Sequence, residues 1–175
     1  MSRIISTDHG LLITVLNRFL FLVAEMKKSD KIQVLLICTE NSARSQMAEG
    51  LLRKKAGDMA DVCSAGTEPA EDIHPLARKV MEENGIDLST QYPKNVEIYL
   101  KREFDVIVTT CDGARENCPF FPGNARRYHW DLEDPAAVKG DEKTRLEVFR
   151  KTFAELSERV SALVEVIREM RNIPA

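Results

Sequence analysis

Residues 32–38, IQVLLIC, are a short and nearly continuous apolar run, the pattern of a strand buried on both faces of a parallel sheet. A small polar loop follows. Residues 45–56 then set Met47, Leu51 and Leu52 on one helical side and end on Arg53, Lys54 and Lys55, where positive charge complements the helix dipole. Residues 61–64 predict a second strand, closed by Ala65-Gly66-Thr67. Pro75 in a first turn and Gly85 at the far end bracket another helix. Residues 95–101 predict a shorter helix, 104–110 a third strand, and 126–130 a fourth after a turn rich in Pro and Gly. Leu146, Phe149, Phe153, Leu156, Val160, Leu163, Ile167 and Met170 recur at spacings of three and four, which predicts a long closing helix with that stripe in the core.

Strands alternating with helices imply right-handed βαβ units. The expected fold class is α/β, a three-layer α/β/α arrangement around a four-stranded parallel sheet. In such sheets ligands sit beyond the carboxyl ends of the strands, near the point where strand order reverses. Cys38 and Cys111 both fall at strand carboxyl ends.

Composition narrows this picture. A chain of 175 residues with 30% charged and 43% hydrophobic residues suits one globular domain. A net charge of −3 argues against a general nucleic-acid partner, so any anion must be held by a local site. Four scattered cysteines (38, 63, 111 and 118) and three histidines form no C-x-x-C zinc pattern and no secreted disulfide framework. No metal and no cofactor is expected. The apolar stretch GLLITVLNRFLFLVAEM is broken by Asn17 and Arg18, too short to span a membrane, and lacks a signal-peptide cleavage site. Residues 1–30 are therefore read as an N-terminal extension carrying an added helix, with Met26 as an alternative start, and residues 31–175 as a single catalytic domain. No membrane partner is expected.

The loop CTENSARS joins strand to helix, so its backbone N–H groups, from Thr39 through Glu40, Asn41, Ser42 and Ala43 to Arg44, can curl around an anion at the helix N-terminus. Arg44 adds a planar fork for two oxygens. Such a positive setting is expected to depress the Cys38 pKa toward a thiolate, to which Ser45 can donate its hydroxyl. A thiolate beneath a tetrahedral oxyanion is a nucleophile aimed at the central atom. Glu40 is tolerable there with its side chain turned away. Asp134, in HWDLEDPA and stiffened by Pro135, is placed to protonate a leaving oxygen, or is simply a turn-initiating Asp; Asp131 and Glu133 are weaker rivals. Cys63 reads as core, and His74 and His129 as packing or loop residues.

C-x5-R-S after the first strand, SAGT at 64–67 and the Asp134-Pro135 pair resemble the low-molecular-weight protein tyrosine phosphatase superfamily, from about residue 32 to about 170. That resemblance implies Cys38 as nucleophile, Arg44 as oxyanion ligand, Asn41 and Ser45 as shapers of loop and thiolate, and Asp134 as general acid or base. CTENSARSQMAEG together with CDGARENC, two cysteines seven apart, is further similar to the thioredoxin-coupled arsenate reductases within it. The implied chemistry is arsenate reduction through a Cys38/Cys111/Cys118 relay, with thioredoxin as cytoplasmic electron donor, phosphate or sulfate as competing anions, and arsenic detoxification as the prokaryotic role. If residues 112–117 start as a helix, cysteines seven apart stand roughly 10 Å apart, so the segment must unwind for them to join. Some relatives bind potassium near the loop. Asn41, Glu49 and Ser64 match its ligands, whereas the segment around Tyr92 to Lys94 shows no match for the rest.

Two other readings stay open. One is a phosphatase acting on protein phosphotyrosine or small phosphomonoesters. The other is a non-catalytic oxyanion or redox sensor signalling through a Cys111–Cys118 disulfide.

Overall fold

The four strands are β1 (Ile32–Cys38), β2 (Ala60–Gly66), β3 (Val106–Thr109) and β4 (Arg126–His129), and every pairing among them is parallel. Their spatial order is β2-β1-β3-β4. A computed structural model describes residues 31–172, so the expected N-terminal helix and the alternative start at Met26 lie outside the described residues.

Helices α1 (Arg44–Ala56), α2 (Pro75–Glu83) and α4 (Glu142–Asn172) pack with Val34, Leu36, Val106 and Val108 of the sheet in one apolar cluster. Leu35, Ile37 and Ile107 point the other way, into a second cluster with Phe104, Phe121 and Val96. This alternation is the period of two along buried strands. The second face is covered by short elements, namely the five-residue helix α3 (Asp112–Glu116), a 3-10 turn at Val96–Tyr99 and loops. The expected helix over 95–101 is that 3-10 turn, capped by the Asn95 side chain accepting from Glu97 N–H.

The predicted stripe on α4 is core: Leu146, Phe149, Leu156, Val160, Leu163 and Ile167 are buried, with Phe153 and Met170 packed at its edge. Each fully buried side chain contributes about 1.5–3 kcal/mol by removal from water. None of the helices in the described residues is long and apolar enough to cross a membrane.

From β1 the chain crosses to β2 on one side and later to β3 on the other, so strand order reverses between β1 and β3. Thr110 N–H donates to Ile37 O at 2.8 Å, which holds the ends of β1 and β3 side by side. Cys38 ends one strand. Cys111 follows the other. The topology thus delivers both sulfurs to the crevice where such sheets bind ligands.

Candidate active site

Residues 39–43 turn from β1 into α1, and every loop carbonyl points away from the crevice. Cys38 O, Thr39 O, Glu40 O and Ser42 O accept from the N–H groups of Thr67, Glu68, Ala70 and His74. Asn41 O accepts from Gln46 Nε2, and Ala43 O from Met47 N–H. A peptide unit's N–H points opposite its carbonyl, so outward carbonyls turn the loop's amides inward. Asn41 takes φ +49°, a left-handed backbone that Asn tolerates better than most side chains. Beneath the loop sits Gly66, where an added Cβ would lie 2.4 Å from Thr39 O. The glycine of SAGT is there for close approach. Helix α1 begins without a side-chain cap, leaving its first-turn N–H groups for an anion.

Cys38 is buried, with Sγ 2.8 Å from Ser45 Oγ and accepting from Asn41 N–H at 3.0 Å. Burial pushes the thiol above its ordinary value; Ser45, the Asn41 amide and Arg44 oppose that, and nearby Cys111 adds to it. The expected depression of this pKa is therefore corrected. Positive partners are present as anticipated, but loss of solvent outweighs them. Glu40 is exposed, as an anion loop requires, and its carboxylate accepts from Ser42 Oγ.

Arg44 Nη1 donates to Leu132 O at 2.9 Å, and Nη2 lies 3.4 Å from Asp134 Oδ1. Asp134 also caps the 3-10 turn Pro135–Ala137 by accepting from Ala136 N–H. Its side chain is 40% exposed, so it meets both the guanidinium and water. Asp131 and Glu133 are exposed, and of the three acids it is Asp134 that pairs with Arg44.

Cys111 is buried as the N-cap residue of α3, with Thr39 Oγ1 3.5 Å from its sulfur. Gly113 lets α3 approach the loop, since a Cβ there would lie 3.1 Å from Thr39 Oγ1. Cys118 follows the helix, half-buried, with Arg127 Nη1 3.7 Å from its sulfur. All four cysteines are free thiols. Cys38, Asn41, Arg44, Ser45, Asp134 and Cys111 are thus brought together, while Cys118 stands at the far end of α3. Cys63 is core. His74 caps α2 and stacks on Phe149, and His129 lies between Thr109 Oγ1 and Asp112. Asp112, His129 and Asp131 bring possible ligand atoms within 4.8 Å of one another. His129 Nδ1 lies 2.9 Å from Thr109 Oγ1, while its buried Nε2 lies 3.3 Å from Asp112 Oδ1 without forming a hydrogen bond.

Sequence reasoning missed the part that Gln46, Gln91 and Lys94 play in a buried polar layer behind the loop. Asn41 Nδ2 donates to both Ser45 Oγ and Ser64 Oγ, each at 2.8 Å. Asn41 Oδ1 accepts from Lys94 N–H at 2.8 Å and from Gln46 Nε2 at 3.1 Å, and Gln91 in turn holds Gln46. Gln46 and Glu49, three apart on α1, were the available signal, because that spacing puts both on the helix side that carries Ser45.

The description "low molecular weight phosphotyrosine protein phosphatase" belongs to the family model that matches residues 33–172. An arsenate reductase of Halalkalibacterium halodurans is 41% identical over 132 residues, covering 75% of this chain and 94% of that protein. One of Bacillus subtilis is 37% identical over the same coverage. Among solved structures, an arsenate reductase in oxidized state superposes with a TM-score of 0.67 at 34% identity, over 77% of this chain and 98% of that one. A thioredoxin-dependent arsenate reductase of Corynebacterium glutamicum gives 0.65 at 32%, over 85% and 68%. A low-molecular-weight protein tyrosine phosphatase of T. tengcongensis gives 0.64 at 29%, over 77% and 99%.

Proposed function

The chain belongs to the low-molecular-weight phosphotyrosine protein phosphatase family, and within it we propose that this protein is a thioredoxin-coupled arsenate reductase. The observation that carries the reading is the second sulfur. Cys111 is held across the crevice from Cys38 and tied to the loop through Thr39, an arrangement that hydrolysis of a phosphate ester does not use.

Arsenate is cradled by the amides of residues 39–44 and the Arg44 fork. The Cys38 thiolate attacks arsenic, an As–O bond breaks, and Asp134 supplies the proton with which that oxygen leaves as water. Cys111 thiolate then attacks Cys38 Sγ. The S–As electron pair stays on arsenic, which leaves as arsenite, two electrons richer, and a Cys38–Cys111 disulfide remains. Cys118 thiolate attacks Cys111 Sγ, freeing Cys38 and moving the disulfide to Cys111–Cys118. An external dithiol, thioredoxin by likeness to its relatives, takes that disulfide back to thiols. A bacterial detoxification role in the cytoplasm fits this chemistry.

The same loop is expected to hydrolyse small phosphomonoesters weakly, which the phosphatase neighbour makes the second reading. Ala136 and Ala137 follow Asp134-Pro135 and offer no aromatic surface to a phosphotyrosine.

The test is NADPH oxidation with arsenate, thioredoxin and thioredoxin reductase, run on wild type, Cys111→Ser and Cys118→Ser. Repeated turnover by wild type alone is expected. Ester hydrolysis by all three proteins with no arsenate-dependent NADPH loss would replace the reductase reading with the phosphatase one.

A further inference from the structure

Glu49 is buried on the inward side of α1, behind the loop. Ser64 Oγ donates to its Oε2, Arg53 Nη2 lies 2.6 Å from Oε1, and Lys94 Nζ lies 3.8 Å from Oε2. A buried carboxylate needs compensating charge. Arg53 is 45% exposed and also donates to Val62 O, so it pairs from the rim. Lys94 pairs from within. Its side chain is 9% exposed, and Nζ donates to Tyr92 O at 2.9 Å. A carboxylate oxygen and a main-chain carbonyl around one positive centre form the environment of an alkali cation.

A potassium ion does not fit here. The ammonium already stands against the oxygens that would hold the ion. Asn41 turns its NH2 toward Ser64, while Oδ1 is taken by Lys94 N–H and Gln46 Nε2. We propose that Lys94 Nζ stands in for the monovalent cation, so that the protein carries the counter-ion of Glu49 covalently.

The consequence reaches the thiol through donor logic. Glu49 as carboxylate only accepts, so Ser64 donates to it and takes its own bond from Asn41 Nδ2. The Lys94 N–H must donate, so the atom of Asn41 facing it is Oδ1, which aims the second Nδ2 proton at Ser45. Ser45 Oγ, now an acceptor, keeps its proton for Cys38 Sγ. Lys94 therefore acts on both ends of this chain, through its ammonium on Glu49 and its backbone on Asn41. It is a positioning residue whichever oxyanion is the substrate.

The test compares wild type with Lys94→Gln in potassium chloride and in choline chloride at equal ionic strength and fixed pH. Two readouts are used: thermal unfolding, and the rate of iodoacetamide labelling at Cys38 followed by peptide mass spectrometry. Wild type is expected to be indifferent to the salt. Lys94→Gln should label several-fold more slowly and melt lower in choline, with both restored by potassium. A variant that matches wild type in choline, or that potassium does not rescue, overturns the proposal, as does a potassium requirement in wild type. Should Lys94→Gln not fold in either salt, Lys94→Met/Glu49→Gln removes both charges together. It should fold without regard to salt, and its failure to fold or its dependence on potassium overturns the proposal equally.

Discussion

Ser45 Oγ stands 2.8 Å from Cys38 Sγ, at the end of a buried chain of donors that leaves its proton no other acceptor among the described residues. Its hydrogen bond is the strongest influence opposing burial at that sulfur. A hydrogen bond to a charged group contributes about 1.5–3 kcal/mol. Ser45→Ala should therefore push the Cys38 thiol further up and slow its alkylation at neutral pH by roughly tenfold or more. The check is iodoacetamide labelling against pH: the midpoint for wild type should already lie above that of an ordinary thiol, and that of the variant higher still. Equal midpoints would remove Ser45 from the activation of Cys38.

Gly66 is where loop and sheet touch. A Cβ would press on Thr39 O at 2.4 Å and on Asn41 at 3.0 Å, and backbone cannot swing aside as a flexible side chain can. Gly66→Ala should cost about 1–3 kcal/mol in urea unfolding, the range for overpacking a tight interior. It should also abolish tight oxyanion binding, because the displaced residues carry the loop's amides. Gly85→Ala, by contrast, meets only Lys54 Nζ at 3.7 Å and is strained through its φ of +66°, so it should lower stability and leave oxyanion affinity alone. If both variants bind sulfate like wild type, the close approach at Gly66 has no bearing on the site.

Alkaline pH should destabilise the fold through Cys63. Burial beneath Tyr99 and the sheet pushes its thiol up to about 11 from an ordinary 9.0. A folded state that holds a proton more tightly than the unfolded chain is favoured below pH 9, and loses that contribution as pH rises through 11. The loss approaches roughly 3 kcal/mol at most for this group. Tyr99, also raised by burial, and Cys38 add in the same sense. Under reducing conditions, urea midpoints should fall more steeply between pH 9 and 11 in wild type than in Cys63→Ala. Parallel curves would show that Cys63 titrates alike in both states.

The elements were legible because their sequence signals are local. The apolar run ending at Cys38, Pro75 at a first turn and the α4 stripe each set their own segment. Cys38, Arg44, Ser45 and Asp134 were legible because loop chemistry depends on residue type. What escaped is tertiary. The outward carbonyls of residues 38–42 are satisfied mostly by backbone N–H groups of 67–74, and main-chain bonds leave no mark in residue type. Gln46, Gln91 and Lys94 look like solvated polar residues until the fold buries them around Asn41. The upward push on the Cys38 thiol escapes for the same reason: charge can be counted in a sequence, and desolvation cannot.

The choice among three neighbouring acids is open to a direct test. Asp131, Glu133 and Asp134 share one loop, yet Asp134 alone has an oxygen beside the Arg44 fork, at 3.4 Å, with its backbone fixed by the buried Pro135. In the proposed mechanism the guanidinium that grips the oxyanion places that carboxyl next to the oxygen that leaves. The pair is 40% exposed at Asp134, so removing it should change stability little. Loss of a positioned general acid typically costs about 10²–10⁴-fold. Asp134→Ala should therefore bind arsenate yet form the Cys38 adduct slower by roughly that factor, read by quenching single turnovers and following arsenite release. Glu133→Ala and Asp131→Ala should keep nearly the wild-type rate. A large loss in Glu133→Ala with little in Asp134→Ala would move the proton donor one residue back and leave Asp134 as a cap for its turn.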